Sequence, residues 1–298
     1  MKSRSLRLEA PFHLMLLPGA LLVFIFAYAP MFGIVIAFQK YYPTKGFFHS
    51  AWVGLDNFRY IFMLPNFGRV LWNTVFIASM KIILTLIVPV LAALLLNEVR
   101  KQVFKRIVQT FIYLPYFLSW VILAGILMDV LSLDGVVNHM LGFLNIKPIF
   151  FLGDNKWFPW TLIASDTWKQ FGFDTIIYLA ALTGINPTLY EAAVLDGAGR
   201  WKQTLYVTLP GILPIVVLMM TLSLGNVLNA GFDQVFNLYS APVMESGDIL
   251  DTMIYRMGLQ NFQFSVSAAL GVFKSAVSFV LISVSYWCAY RFANYRIF

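Results

Sequence analysis

The chain has 298 residues, 60% hydrophobic and only 12% charged, with a formal net charge of +7 and a mean hydropathy of +0.76. A soluble domain carries about 25% charged residues, and here the apolar residues fall in long unbroken runs rather than one-faced or alternating patterns. That excludes an ordinary globular enzyme and places the chain in the membrane class. The basic excess then belongs to cytoplasmic loops and does not point to nucleic acid.

No residue set equips the chain for chemistry of its own. Cys288 is the sole cysteine, which excludes an internal disulfide framework. His13, His49 and His139 stand far apart and show no metal-ligand spacing. There is no Walker A sequence, no GxGxxG opening a helix and no GxSxG. The expectation is no catalytic residue, no metal and no bound cofactor.

In chain order, the N-terminus carries Lys2, Arg4 and Arg7 and then an apolar run over residues 12–38. The run is too long for the apolar region of a signal peptide, so it reads as an uncleaved first span over 13–38. Five further segments are long enough to cross about 30 Å of hydrocarbon, near 70–96, 107–131, 159–183, 209–232 and 266–290. The fold expected is an all-α, six-span membrane bundle. Residues 1–69 hold the tail, first span and a long outer loop, residues 70–291 the core with a cytoplasmic segment at 184–210, and residues 292–298 a tail.

Lys and Arg set the orientation. Lys2, Arg4, Arg7, Arg100, Lys101, Lys105, Arg106, Arg200, Lys202, Arg291 and Arg296 fall on the side of the termini. The opposite loops hold fewer, namely Lys40, Lys45, Arg59, Arg69, Lys147, Lys156 and Arg256. The bias predicts cytoplasmic termini. The outer loops, such as YYPTKGFFHSAWVGLDNF and YSAPVMESGDILDT, are long and aromatic. They read either as caps that meet a partner or substrate, or as connectors with interfacial aromatic belts.

Polar groups within spans are expensive in lipid and face the bundle interior. Asp166, Gln170 and Asp174 step by four along the fourth span, with Trp168 and Lys169 beside them. Asn226, Asn229 and Asp233 fall at i, i+3 and i+7 on one face of the fifth span, and Lys81 and Lys274 are placed to point inward. Carboxylates and amides offer acceptors and donors to a hydroxyl-bearing solute, and Trp168, Phe171 and Phe173 offer flat faces to its rings. The competing reading is an internal Asp166–Lys169 pair that holds helices together. Lys169 and Lys274 also admit an acidic solute, against which the neighbouring carboxylates argue.

Residues 190–210 read YEAAVLDGAGRWKQTLYVTLP. Four charges in this segment would cost on the order of 10 kcal/mol in the membrane, so it lies in the cytoplasm. Asn186 is a helix cap with Pro187 at the first helical position. Gly197 and Gly199 bracket a turn, a second short helix runs over 200–207, and Pro210 falls in the first turn of the next span.

Glu191-Ala192-Ala193, three residues, Gly197, nine residues, Val207, one residue, Leu209-Pro210 resembles the EAA motif of ABC importer permeases, with Val207 at the usual isoleucine. The resemblance implies a coupling helix docked on a separate ATPase dimer, with Glu191 facing a basic residue there. Asp196 and Arg200 belong to the same segment, or merely solvate it. ATP and Mg would be used by those partner subunits. Trp52-Val53-Gly54-Leu55-Asp56-Asn57-Phe58 resembles the GLxNF element of sugar-importer permeases. NEVRKQVFKR, YLPYFLSW, WKQFGFDTIIYLAAL and LDTMIYRMGL resemble the oligosaccharide- or polysaccharide-type, LplB-like members. The resemblance covers most of the chain from about Leu14.

It implies a type I permease in a bacterial inner membrane, paired with a second homologous permease, an ATPase dimer and an extracytoplasmic solute-binding protein that delivers an oligosaccharide. Rival readings are a permease for peptides, amino acids or polyamines, against which GLDNF argues, and an ion-coupled secondary transporter, against which the lack of an internal repeat argues. A non-transporting scaffold would not need polar faces on two spans.

Overall fold

The computed structural model describes the backbone of residues 2–293, and within it all side chains except those of residues 2–10, 285 and 288–293. The side chains of Lys2, Arg4, Arg7, Cys288, Arg291 and Arg296 lie outside that description. Apart from one two-stranded ribbon, the described elements are helical. The contacts divide the chain into two compact units, residues 1–64 with 254–273 and residues 65–253 with 274–298.

The first unit begins with a helical rod. It is α-helical over Lys2–Val23, π-helical over Phe24–Tyr28 and 3-10 over Ala29–Phe38. Only 6% of its most apolar window over Pro11–Phe38 is buried, so this surface is dressed for lipid or another subunit. The rod ends in a ribbon that pairs Gln39 with Trp52 and Lys40 with Ala51. The GLDNF stretch fastens this corner. Gly54 has φ +60, which favours glycine. The Asn57 amide donates to the carbonyls of Ala37 (2.8 Å) and Gln39 (3.0 Å), and Phe58 lies 5.3 Å from Phe38.

The second unit is built on two long helices, Phe67–Glu98 and Phe158–Thr183, packed along their lengths. One core cluster joins Ile77, Phe158, Leu162, Val235 and Ile249, and another joins Ala93, Tyr178, Leu182 and Ile212. Gly172 lets the second of these helices approach a neighbour, since a Cβ there would lie 1.9 Å from the Ile112 carbonyl oxygen. The loop at 244–250 is pinned to the start of the Phe67–Glu98 helix. Asn73 donates to the Glu245 and Asp248 carbonyls at 3.0 and 3.2 Å, and Arg69 pairs with Glu245 at 2.6 Å.

Four described helices are long and apolar enough to cross a membrane: Pro11–Phe38, Phe67–Glu98, Arg200–Leu224 and Phe264–Val284. The segment expected as a third straight span, 107–131, is broken. Gln102–Phe117 and Trp120–Val130 meet at 107°, a broken span or re-entrant loop. Pro115 cannot donate an N–H, the stretch Leu114–Phe117 tightens to 3-10, and Ser119 starts the next helix by accepting from Ile122 N at 3.3 Å. The fourth expected span is a single helix of 26 residues, about 39 Å long, but carries Asp166, Lys169 and Asp174. The fifth differs at both ends. No break separates it from the short helix expected over 200–207, because helix runs on from Arg200 to Leu224 through a π turn at Thr204–Thr208. It stops at Leu224, eight residues before the predicted end at 232, and Asp233 belongs to a separate helix, Phe232–Leu238. Gly231 at φ +90 makes that separation.

Candidate transport cavity and docking segment

Within the second unit, a polar cavity of about 310 Å³ opens between the two long helices and the end of the Arg200–Leu224 helix. Asp166, Gln170 and Asp174 line it from one helix, Lys81 and Thr85 from another, and Ser223, Asn226 and Asn229 from the segment where helix gives way to turn. The four-residue step along Phe158–Thr183 therefore turns three polar groups to one wall. Trp120, the first residue after the 107° bend, contributes an aromatic face.

Charge in this cavity is partly cancelled from behind. Lys81 is 6% exposed and its ammonium lies 3.6 Å from Asp166 Oδ1. The same ammonium donates to the Ala230 carbonyl at 2.7 Å and to Gln234 Oε1. The Asp166 ion pair is thus with Lys81 on another helix, not with Lys169 on its own. No hydrogen bond or ion pair from the Asp174 carboxylate is present among the described residues, and that group faces the cavity.

Other residues expected along the pathway lie elsewhere. Lys169 turns away and donates to the carbonyls of Tyr116 (2.7 Å) and Leu118 (2.8 Å), with Pro115 O at 3.5 Å. It caps the carbonyls that the bend releases, and its ammonium also lies over the Tyr116 ring. Phe173 stacks on Tyr116 at 4.0 Å, which occupies one of its faces. Trp168 lines a separate, apolar cavity of about 360 Å³ with Trp157, Trp160 and Leu127. Asp233 is exposed on its short helix. Lys274 pairs with Asp251 Oδ1 at 2.5 Å. Sequence reasoning did not find Thr85, Trp120 or Gln234. Thr85 stands four residues after Lys81, a spacing that was available, whereas nothing local marks Gln234 as fully buried.

The segment over 184–210 folds as helix, turn, helix. Asn186 Oδ1 accepts from Thr188 N at 3.1 Å, and Pro187 opens a helix that runs to Leu195. The helix closes with two nested bonds, Gly197 N to Val194 O at 3.0 Å and Ala198 N to Ala193 O at 2.8 Å. This is the Schellman arrangement, and Gly197 at φ +74 supplies its left-handed residue. Gly199 caps the helix that becomes the Arg200–Leu224 span. Leu209 N donates to Thr204 O, closing the π turn immediately before Pro210.

The two arms are tied together. Tyr190 Oη and Thr208 Oγ1 lie 3.0 Å apart, and Gln203 Nε2 donates to Ala198 O at 2.8 Å. Arg200 reaches Glu98 at the end of the first long helix of this unit, at 2.7 Å. Glu191, Ala192 and Asp196 are exposed and Ala193 half-buried. Leu195 is 89% and Trp201 79% exposed beside them. A charged segment that shows so much apolar surface is built to be covered.

The family model for the binding-protein-dependent transport system inner membrane component matches residues 85–294. The chain belongs to that family: it is a multi-pass inner-membrane component of a solute transport system and not an enzyme. Among its relatives, the polygalacturonan/rhamnogalacturonan transport system permease protein YteP of Bacillus subtilis is 43% identical over 96% of this chain and 89% of that protein. Protein LplB of the same organism is 41% identical over 99% of this chain and 93% of its own length. A crystal structure of a bacterial ABC transporter involved in import of the acidic polysaccharide alginate contains a similar chain, with a TM-score of 0.89 at 36% identity, covering 97% of this chain and 98% of that one. The same transporter in complex with its alginate pentasaccharide-bound periplasmic protein gives a TM-score of 0.90 at 35% identity, covering 99% of each chain.

Proposed function

We propose that this chain is a permease subunit of an ATP-driven ABC importer for oligosaccharides or polysaccharide fragments. The observation that carries the reading is the unbroken helix from Arg200 to Leu224. About 38 Å of rigid rod connects an exposed docking turn at one end to Asn226 on the wall of a polar cavity at the other. A push on the turn is thereby delivered to the cavity, as rocking between inward- and outward-open states requires.

In this reading Glu191, Ala192, Ala193, Asp196, Gly197, Leu209 and Pro210 form the coupling segment, and Arg200 steadies it against Glu98. Two ATPase subunits dock there and use ATP and Mg in trans. A second, homologous permease completes the path, and an extracytoplasmic binding protein delivers the sugar. The core occupies residues 70–291, the bent pair and the Phe158–Thr183 helix serve as third and fourth crossings of six, and both termini are cytoplasmic. Asp166, Gln170, Asp174, Asn226 and Asn229 offer acceptors and donors to hydroxyl groups.

The relatives that act on polygalacturonan, rhamnogalacturonan and alginate support a saccharide substrate, and the hydroxyl-matching cavity agrees with it. The test is uptake by proteoliposomes that hold the complete importer and its binding protein, offered oligogalacturonides, alginate oligosaccharides and neutral galacto-oligosaccharides. ATP-dependent uptake of at least one saccharide is expected. Uptake driven by a proton or sodium gradient without ATP, or uptake of peptides and polyamines alone, contradicts the reading.

A further inference from the structure

Lys81 has three partners from three parts of the second unit. Its ammonium contacts the carboxylate of Asp166 at 3.6 Å, the Ala230 carbonyl at 2.7 Å and the side-chain oxygen of Gln234. Gln234 is fully buried and donates onward to Leu162 O and Ser165 Oγ, both at 2.8 Å. A lysine this deep in a membrane protein is costly unless its charge is paired and its donors are used. Here the charge is paired with Asp166, and the ammonium donates two hydrogen bonds, to Ala230 O and Gln234 Oε1.

The placement matters for the cavity. Ala230 lies in the non-helical link between Leu224 and Phe232, the link that also presents Asn226 and Asn229. Gly231 follows at φ +90, and a Cβ there would stand 3.1 Å from the ammonium. The cation therefore holds the link from behind while it neutralises Asp166. Asp174 is left as the uncompensated charge on the wall.

We propose that Lys81 is the positioning residue of the cavity, fixing the 225–231 link and cancelling the charge of Asp166, so that it sets both the shape and the charge of this subunit's share of the sugar path. The role as a sugar path rests on the function proposed above; the charge and tether do not.

A measurement free of any substrate separates the two. The complete importer carries Cys288→Ser and Asn229→Cys, so this chain has one cysteine, on the cavity wall. Modification by a cationic and an anionic methanethiosulfonate of similar size is followed on this chain by mass. Lys81→Met, which exposes the Asp166 charge, should raise the cation-to-anion rate ratio about tenfold. Asp166→Asn, which leaves the lysine unbalanced, should lower it. The double variant should return close to the starting ratio.

If Lys81→Met fails to assemble, the Asp166→Asn arm decides alone, because that side chain is partly exposed and its loss removes no buried cation. A ratio that is the same in all assembled variants, or a double variant that follows one single variant, overturns the proposal. For a saccharide that wild type transports, Lys81→Met should also raise KM severalfold more than it lowers kcat, a split that mere loss of folded protein would not produce. Absence of saccharide uptake by wild type would instead count against the proposed function and leave the labelling result to judge Lys81.

Discussion

Lys81, Lys169 and Lys274 look alike in sequence, and their partners separate them. Lys81 faces Asp166 and a helix break, Lys169 caps a bend, and Lys274 holds Asp251. Each partner lies on another element, 23 to 153 residues away along the chain, so spacing within a span could not reveal it. The step of four that joins Asp166, Gln170 and Asp174 was legible because one helix suffices to make it. For Lys169→Met we expect the bend carbonyls to lose their donor at about 1–3 kcal/mol, read as a loss of several degrees in the melting temperature of the purified subunit complex. An unchanged melting temperature would remove Lys169 from the list of fastenings. Gly197 is a second residue with one clear demand. Valine is strained at φ +74 by about 1–2 kcal/mol, so Gly197→Val should weaken ATPase retention while the transmembrane part keeps its melting temperature.

At the scale of elements, hydropathy locates long apolar stretches but not the breaks within and between them. Hydropathy reports that residues 107–131 suit lipid, but it is indifferent to a 107° turn within them. Pro115 and Ser119 were the local signs. What completes the turn is Lys169, supplied from a different helix. The fifth span shows the converse. Gly199 starts it earlier than predicted and Gly225 ends it sooner, so Asn226 and Asn229 sit on a non-helical link while Asp233 leaves the cavity for the helix that Gly231 opens. The Schellman close of the docking helix, in contrast, was foreshadowed by Gly197 itself. Close helix approach gives a prediction at this scale. Gly172→Leu would drive a side chain into the Ile112 carbonyl, and overpacking of this kind costs about 1–3 kcal/mol or more. Reduced yield and a lower melting temperature are expected, with Gly125→Leu as the tolerant control because nothing lies within 4 Å of its Cβ position.

For the whole molecule, the apolar surface is turned outward. The windows of the long apolar helices are only 6–28% buried within the chain, a distribution that suits lipid and companion subunits and not water. The composition already required this, and the excess of Lys and Arg on one side of the expected spans predicts where the termini lie. A reporter fused after Phe298 should be active only if its activity belongs to the cytoplasm, and a periplasm-type readout there would reverse the orientation. The docking turn is a charged, apolar-rimmed surface tied by a continuous helix to the polar cavity. That link is the central claim. Its most direct test is co-purification of the partner ATPase with the complete permease complex, wild type against Glu191→Lys. Retention by wild type and loss from the variant, with both permease subunits present in equal amount, is the predicted result. An ATPase retained equally by both, or by neither under conditions that preserve the complex, would contradict the assignment of residues 187–210 as the coupling segment.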